Sequence, residues 1–130
     1  MKLKEKVVVV RPNVLSQSRG DMIEISGLKS ERLYKITLTC HAVRGNHFHY
    51  KQIEGFYTNH GDVLYLLSNK DTPNVVYMVK TSKNTLLRVE PSIIHTLTND
   101  YIDNVPEIII GSTQRYISGE TPDTEYVKNI

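Results

Sequence analysis

The chain has 130 residues, of which 39% are hydrophobic, and its 16 basic and 14 acidic residues leave a formal net charge of +2. This length suits a single domain, residues 1–130, that buries roughly two thirds of its unfolded surface around one core. Charges of both signs are mixed and no long basic run occurs, which argues against nucleic acid or a membrane surface as a partner.

The beginning of the chain predicts a soluble protein. Residues 1–6 are charged like the start of a signal peptide, but the apolar run Val7–Val10 is far too short for one and Arg11 and Pro12 follow it directly. No stretch is long and apolar enough to span a membrane. The single cysteine, Cys40, cannot form an internal disulfide, which fits a reducing compartment. We therefore expect a cytoplasmic protein.

Short strands separated by turns follow one another along the chain. Val7–Val10 is a β-branched run that ends before Pro12, and such a terminal strand needs a partner edge in its own sheet or in a second subunit. Between residues 33 and 43 apolar and polar side chains alternate with a period of two, which a helix would not show. The other predicted strands cover residues 22–26, 46–50, 53–59, 63–67, 75–80, 85–89, 93–97 and 107–112. The tail, residues 118–130, is predicted to be a loop or a short terminal turn. About ten short strands of this spacing predict an all-β sandwich or small barrel.

Two histidines mark the candidate site. His47 and His49 are two apart on a predicted strand and therefore point to the same face, where they can hold one metal ion. Glu54 on the returning strand and His95 on a distant segment would complete a set of three imidazoles and one carboxylate. Such a set suits a divalent transition metal with room for water or substrate, and it does not choose between zinc, iron, manganese and nickel. A lone pair of histidines at this spacing is also common in solvated or core positions.

The residues around this pair resemble the two signatures of the cupin superfamily. The first signature matches at Gly45, His47, His49, Glu54 and Gly61, and the second at Pro91, His95 and Asn99. The resemblance implies a small double-stranded β-helix (jelly-roll) barrel with His47, His49, Glu54 and His95 as metal ligands. In one departure, Ser92 stands where a glycine is usual, so we expect the turn before His95 to be built differently.

A narrower resemblance concerns the residues before the histidines. Arg44, Gly45 and Asn46 make this stretch similar to the C-terminal cupin domain of bifunctional capsular-polysaccharide enzymes, a zinc cupin that epimerises a nucleotide-linked 4-keto sugar. Residues 18–21 (SRGD) resemble the Arg-Gly turn near the start of sugar-nucleotide epimerase and ketoisomerase cupins, and residues 121–126 (TPDTEY) resemble the Pro-Asp-Thr end of the same group. The resemblance implies an epimerase or isomerase of polysaccharide biosynthesis. It also implies zinc as the first choice of metal and a homodimer, in which strand 7–10 would be exchanged.

Roles for single residues follow from the same resemblance. Arg44 is placed to bind a diphosphate, because a planar guanidinium matches phosphate oxygens, although it also suits a solvated turn. Asn46 is a second candidate for substrate binding. The resemblance does not name the catalytic base; Lys51, next to the strands of the metal ligands, and Tyr57 are the candidates for it, although a turn lysine is usually solvated and Tyr57 alternates to the face opposite Glu54.

Two alternative functions remain open at this point. The strand that is polar on its inner face in sugar-nucleotide epimerases carries Tyr34, Ile36 and Leu38 here, which favours a non-catalytic metal-binding cupin for another small ligand. A metal-dependent oxygenase would use the same four ligands.

Overall fold

A computed structural model describes residues 6–113 and 123–127 of the chain. Within these ranges the structure is built from twelve strands: β1 (Val7–Val10), β2 (Val14–Gln17), β3 (Gly20–Ile23), β4 (Arg32–Thr37), β5 (Val43–His49), β6 (Glu54–His60), β7 (Val63–Asn69), β8 (Tyr77–Thr81), β9 (Thr85–Val89), β10 (Ile93–Thr98), β11 (Glu107–Ser112) and β12 (Thr124–Tyr126). Among the same residues, no helix has the length and apolar character needed to cross a membrane.

The strands form two five-stranded sheets and a separate hairpin. The first sheet has the order β1-β9-β6-β11-β4, the second has the order β12-β5-β10-β7-β8, and β2 pairs with β3. Every pairing is antiparallel, and most neighbours in a sheet are distant in sequence. This arrangement is a jelly roll, so the predicted all-β double-stranded β-helix is confirmed.

The core lies between the inner faces of the two sheets. Alternate residues of each strand point into it, as the period of two requires. The core members are Leu38, Phe56, Val63, Tyr65, Leu67, Leu87, Val89, Ile93, Leu97, Ile108 and Ile110. Aliphatic and aromatic packing therefore fills the barrel except at the end where the histidines lie.

Some strand predictions differ from the structure. The strand predicted over residues 33–43 ends at Thr37, and Cys40 lies exposed in a turn before β5. Two strands were not predicted, namely β2 and β12, and both are short and largely exposed. Their strand conformation comes from pairing, β2 with β3 and β12 with β5, rather than from hydrophobic alternation.

A strap formed by residues 26–30 crosses the outer face of the first sheet. It lies over Gly55 of β6 and Gly111 of β11, which are directly paired in the sheet. A methyl group on Gly111 would overlap the main-chain oxygen of Lys29, whereas one on Gly55 would come 3.2 Å from the end of the Leu28 side chain. The two glycines therefore allow the strap to approach the sheet closely, and at Gly111 the neighbour is backbone that cannot rotate away.

Replacing Gly111 with alanine is expected to destabilise the protein by about 1–3 kcal/mol, because the added methyl displaces the strap backbone. The matched change Gly55→Ala is expected to cost less, since the Leu28 side chain can change rotamer. Urea unfolding of both variants measures the difference in free energy of unfolding. Equal losses for the two variants would contradict this account of the strap.

Two residues of the second signature have structural roles. Ser92 adopts the left-handed backbone conformation, with φ of 75°, that glycine occupies most easily. We expected a turn with a different backbone because serine replaces the usual glycine. Instead, Ser92 itself adopts the left-handed conformation that a glycine would have. Asn99 is fully buried and its side chain donates to the main-chain oxygens of Leu38 and Asn104, at 3.0 and 2.6 Å. It ties the loop after β10 to the end of β4.

Strand β1 occupies the edge of the first sheet. It pairs with β9 of the same chain, from Val7 opposite Val89 to Val10 opposite Leu86. Its outer residues Val8, Val9 and Val10 remain 42–48% exposed. Exchange of this strand in a homodimer stays a prediction.

Candidate metal centre

Three neighbouring strands bring the four predicted ligands together at one end of the barrel. His47 and His49 lie on β5, Glu54 is the first residue of β6, and His95 lies on β10 directly opposite His47. The ligand atoms of all four side chains lie within 4.8 Å of one another. The constellation expected from the sequence is therefore assembled by the fold and could hold a metal ion.

A β-bulge in β5 positions the two histidines. His95 pairs with His47 but Thr96 pairs with Gly45, so Asn46 is an extra residue on β5. Gly45 and Asn46 have φ values of 100° and 60°, and a Cβ on Gly45 would lie only 2.6 Å from the main-chain oxygen of His95. Glycine is required by that contact, and asparagine tolerates a positive φ better than most residues. The Gly-Asn pair before the histidines thus has a backbone role.

Glu54 is the centre of the cluster. Its Oε1 lies 2.5 Å from Nε2 of His49 and 3.2 Å from Nε2 of His95. Only 4% of Glu54 and 1% of His95 are exposed. A carboxylate and two imidazole nitrogens therefore converge where the protein covers most of their surface.

The other nitrogen of these two rings faces main-chain carbonyls. Nδ1 of His49 lies 3.0 Å from the oxygen of Asp123, and Nδ1 of His95 lies 3.0 Å from the oxygen of Ile93. Because a carbonyl can only accept, Nδ1 of His95 carries the proton and donates it, which leaves the Nε2 lone pair of that ring directed at Glu54. A proton on Nδ1 of His49 can be donated to the oxygen of Asp123 in the same way. Histidines that bind metals are commonly oriented by a partner on the opposite nitrogen in this way.

Burial and mutual proximity control protonation in the cluster. Burial, together with the imidazoles of His95 and His49, lowers the pKa of His47 to about 3, so this ring is neutral at pH 7. Burial alone would raise the pKa of Glu54, but the contacts from His49 and His95 outweigh it and hold the pKa well below its usual range. Neutral imidazoles and an ionised carboxylate are the forms that bind a metal.

The donor set fits a bound cation. A proton between His49 and Glu54 could hold those two groups together, but among the described residues Nε2 of His95 and Nδ1 of His47 are buried without a hydrogen-bond partner. One divalent ion gives the converging lone pairs a common partner. Three nitrogens and one oxygen suit zinc, and equally iron, manganese or nickel.

A cavity of about 250 Å³ opens above the cluster, and its walls are mixed in character. It is lined by Tyr34, Ile36, Arg44, Gly45, His47, Glu54, Phe56, His95, Leu97, Ile110 and Tyr126. Tyr34 lines this cavity together with Glu54, and burial together with the charge of that carboxylate raises the pKa of Tyr34 to about 12. The inner face of β4, which looks apolar in sequence, therefore brings a protonated hydroxyl to the candidate site.

Of the remaining predicted site residues, one lines the cavity and three do not. Arg44 is exposed and lines the cavity, so it lies at the rim. Asn46 is absent from the cavity lining, and its Oδ1 accepts a hydrogen bond from Thr96 at 3.0 Å. Lys51 is exposed in the turn between β5 and β6, and Tyr57 points outward, where its hydroxyl donates to Asn84 at 3.1 Å. Neither Lys51 nor Tyr57 lines the cavity.

Tyr34 and Tyr126 are cavity residues that sequence reasoning did not assign to the site. Tyr34 had a detectable signal, because it occupies an inward position of an alternating strand. Tyr126 had none, since β12 was predicted as a tail; its ring lies 5.2 Å from that of His47 in an edge-to-face arrangement.

Comparison with known proteins yields matches of structure. No protein-family model matches the chain. No curated protein matches its sequence. The fold is similar to that of QdtA, a sugar 3,4-ketoisomerase from Thermoanaerobacterium thermosaccharolyticum in complex with TDP, with a TM-score of 0.76, 16% identity, and coverage of 96% of this chain and 90% of that one.

Two epimerases have the same architecture. NovW, a 4-keto-6-deoxy sugar epimerase from Streptomyces spheroides, aligns with a TM-score of 0.76 and 15% identity over 95% of this chain and 69% of its own. A dTDP-4-dehydrorhamnose 3,5-epimerase from Sulfolobus tokodaii aligns with a TM-score of 0.72 and 17% identity over 98% and 80%. At these identities the likeness establishes a shared jelly-roll fold.

Proposed function

We propose that this protein is a metal-dependent enzyme that epimerises or isomerises a nucleotide-linked keto sugar. The observation that carries the proposal is the convergence of three histidines and a buried glutamate beside a cavity that His47, Glu54 and His95 line and whose wall holds a protonated tyrosine. The shared fold adds support, since the neighbours named above are sugar ketoisomerases and epimerases. Polysaccharide biosynthesis is the corresponding biological setting.

The proposed cofactor is one divalent ion, zinc in the first place, held by His47, His49, Glu54 and His95. When bound, such an ion acts as a Lewis acid that stabilises negative charge on an oxygen, an effect of several kcal/mol. The protein contributes the neutral imidazole of His47, the ionised carboxylate of Glu54, and the rings of His49 and His95, which main-chain carbonyls orient. Preset ligands reduce the reorganisation needed on binding.

Arg44 is the proposed anchor for the diphosphate. Its guanidinium is exposed at the cavity rim, where it can bind phosphate oxygens while the sugar occupies the interior. The apolar side chains Ile36, Leu97 and Ile110 line the interior and suit a sugar that lacks some of its hydroxyls. The diphosphate thus fixes the ligand at the mouth and leaves its ring near Glu54.

Tyr34 is the proposed proton donor. Epimerisation or isomerisation beside a ketone requires that a proton be removed from one carbon and returned on the opposite face or to the neighbouring atom. The Tyr34 hydroxyl lies in the cavity, and the carboxylate of Glu54 helps to keep it protonated at neutral pH. It can therefore give a proton and recover one, a role that neither Lys51 nor Tyr57 can fill from outside the cavity.

The zinc-loaded protein is expected to exchange hydrogen beside the ketone of a nucleotide-linked 4-keto sugar. TDP-4-keto-6-deoxyglucose is a suitable probe, because a ketoisomerase of the same fold has been crystallised with it. In deuterated water, NMR or mass spectrometry should detect deuterium at the neighbouring carbon, and a chelator should stop its uptake. Binding of the sugar without exchange in the metal-loaded protein would refute the enzyme proposal and indicate a non-catalytic binding protein. Dependence on iron and oxygen would indicate an oxygenase.

A further inference from the structure

The segment formed by residues 123–127, here called the C-terminal clamp, lies against the strand and turn that carry three of the four candidate ligands. Its strand β12 pairs with β5 so that Thr124 lies opposite His49 and Tyr126 opposite His47. Beyond the strand, the Val127 amide donates to the main-chain oxygen of Asn46 at 2.8 Å. The clamp therefore covers β5 from the bulge to its last residue.

The side chain of Asp123 holds the turn between the ligands. Its Oδ2 accepts hydrogen bonds from the backbone amides of Lys51 and Gln52, at 2.8 and 2.9 Å. These two residues lie between His49 at the end of β5 and Glu54 at the start of β6. One carboxylate thus sets how the chain passes from one candidate ligand to the next.

The clamp also contacts the His49 ring directly. Nδ1 of His49 is 3.0 Å from both the main-chain oxygen of Asp123 and Oγ1 of Thr124. The buried amide of Gln52 lies 3.0 Å from the same nitrogen. On its other side, Nε2 of His49 faces Glu54 at 2.5 Å. Nδ1 is therefore surrounded by groups that restrain rotation of the ring, and two of these come from residues 74 and 75 positions away.

We infer that the C-terminal clamp sets the metal affinity of the site, with Asp123 and Thr124 acting as positioning residues for His49 and Glu54. The inference rests on the proposed metal centre, to which it adds the residues that preorganise it. Partners of metal-bound histidines typically change metal affinity by 10–100-fold when removed. Without the clamp, β5 would become an edge strand, and His49 would lose the carbonyl that selects its protonated nitrogen.

The test compares zinc affinity, by competition with a chromophoric chelator, in full-length wild type and three variants. Asp123→Ala and Thr124→Val are expected to weaken zinc binding by about 10–100-fold. Asp123→Asn, which keeps an acceptor oxygen, should recover part of the loss. Glu125→Gln is the matched control, because the Glu125 side chain points away from the ligands and contacts Tyr50.

A spectroscopic measurement and the zinc affinities together distinguish the possible outcomes. The visible spectrum of the cobalt-substituted protein should change in Asp123→Ala, because the spectrum reports the geometry of the ligands. If Asp123 only stabilised the fold, the spectrum would stay the same. Unchanged zinc affinity in Asp123→Ala would overturn the inference while leaving the metal centre intact, and an equal loss in Glu125→Gln would overturn the specific positioning roles of Asp123 and Thr124. Failure of the wild type itself to bind zinc or cobalt would overturn the metal centre and this inference together.

Discussion

Replacing Glu54 with glutamine is expected to weaken zinc binding by about a hundredfold and to abolish hydrogen exchange beside the substrate ketone. Structural zinc sites bind with about 10–16 kcal/mol, so one of four ligands contributes on the order of 3 kcal/mol. That free energy corresponds to about a hundredfold in affinity. We expect this loss of zinc affinity in Glu54→Gln because the Glu54 carboxylate is the common neighbour of His49 and His95. Chelator competition and isotope exchange measure the two effects separately.

The control for this variant is Glu107→Gln. Glu107 lies on β11 in the first sheet, whereas β5 belongs to the second, and its carboxylate accepts a hydrogen bond from Asn59 at 2.8 Å at an exposed position. The Glu107→Gln variant loses the same charge as Glu54→Gln but at a residue that does not contact the candidate ligands, so its zinc affinity should equal that of the wild type. A zinc affinity of Glu54→Gln equal to that of Glu107→Gln would refute Glu54 as a ligand.

Replacing Tyr34 with phenylalanine is expected to lower the rate of hydrogen exchange by about 10²–10⁴-fold, the usual contribution of a positioned acid or base. Zinc affinity should stay at the wild-type value, because the Tyr34 hydroxyl is not one of the four ligands and Glu54 keeps its contacts with His49 and His95. Single-turnover exchange measurements on the zinc-loaded variant isolate this chemical effect from binding.

The companion variant Tyr57→Phe distinguishes the residue that geometry favours from the one that sequence reasoning named. The Tyr57 hydroxyl bonds to Asn84 outside the cavity, so its loss should leave exchange near the wild-type rate. A large loss in Tyr57→Phe together with normal exchange in Tyr34→Phe would refute the proposed proton donor.

The ligand positions could be predicted because they depend on local geometry. His47 and His49 share a face in any regular strand, and Glu54 follows after one turn. The backbone conformation at position 45 is also visible in the sequence as a glycine, since few other residues adopt this positive φ. Asn46 shows the limit of such inference, because a residue that a bulge favours looks the same in sequence as one that binds a substrate, and its role in substrate binding stays a prediction.

The catalytic candidates could not be predicted in this way. Lys51 and Tyr57 are near the ligands in sequence, but strand alternation and the turn carry both away from the cavity. Tyr34 is far from Glu54 in sequence and reaches it because β4, β11 and β6 lie side by side in one sheet. Which hydroxyl reaches the site depends on that order of strands.

The amino-acid sequence by itself determined the strand rhythm and the grouping of His47 and His49 with Glu54, because these depend on periodicity or on spacing across a single turn. The jelly-roll class and the place of His95 were expected from the resemblance to the two signatures. Only the tertiary structure decided that Tyr34 meets Glu54 and that β12 lies against β5. It also decided that Asp123 and Thr124 hold the His49 ring from 74 and 75 residues away. These contacts join short, exposed segments that show no hydrophobic alternation. Their strand conformation depends on the strands they pair with, so alternation in the sequence does not predict the contacts.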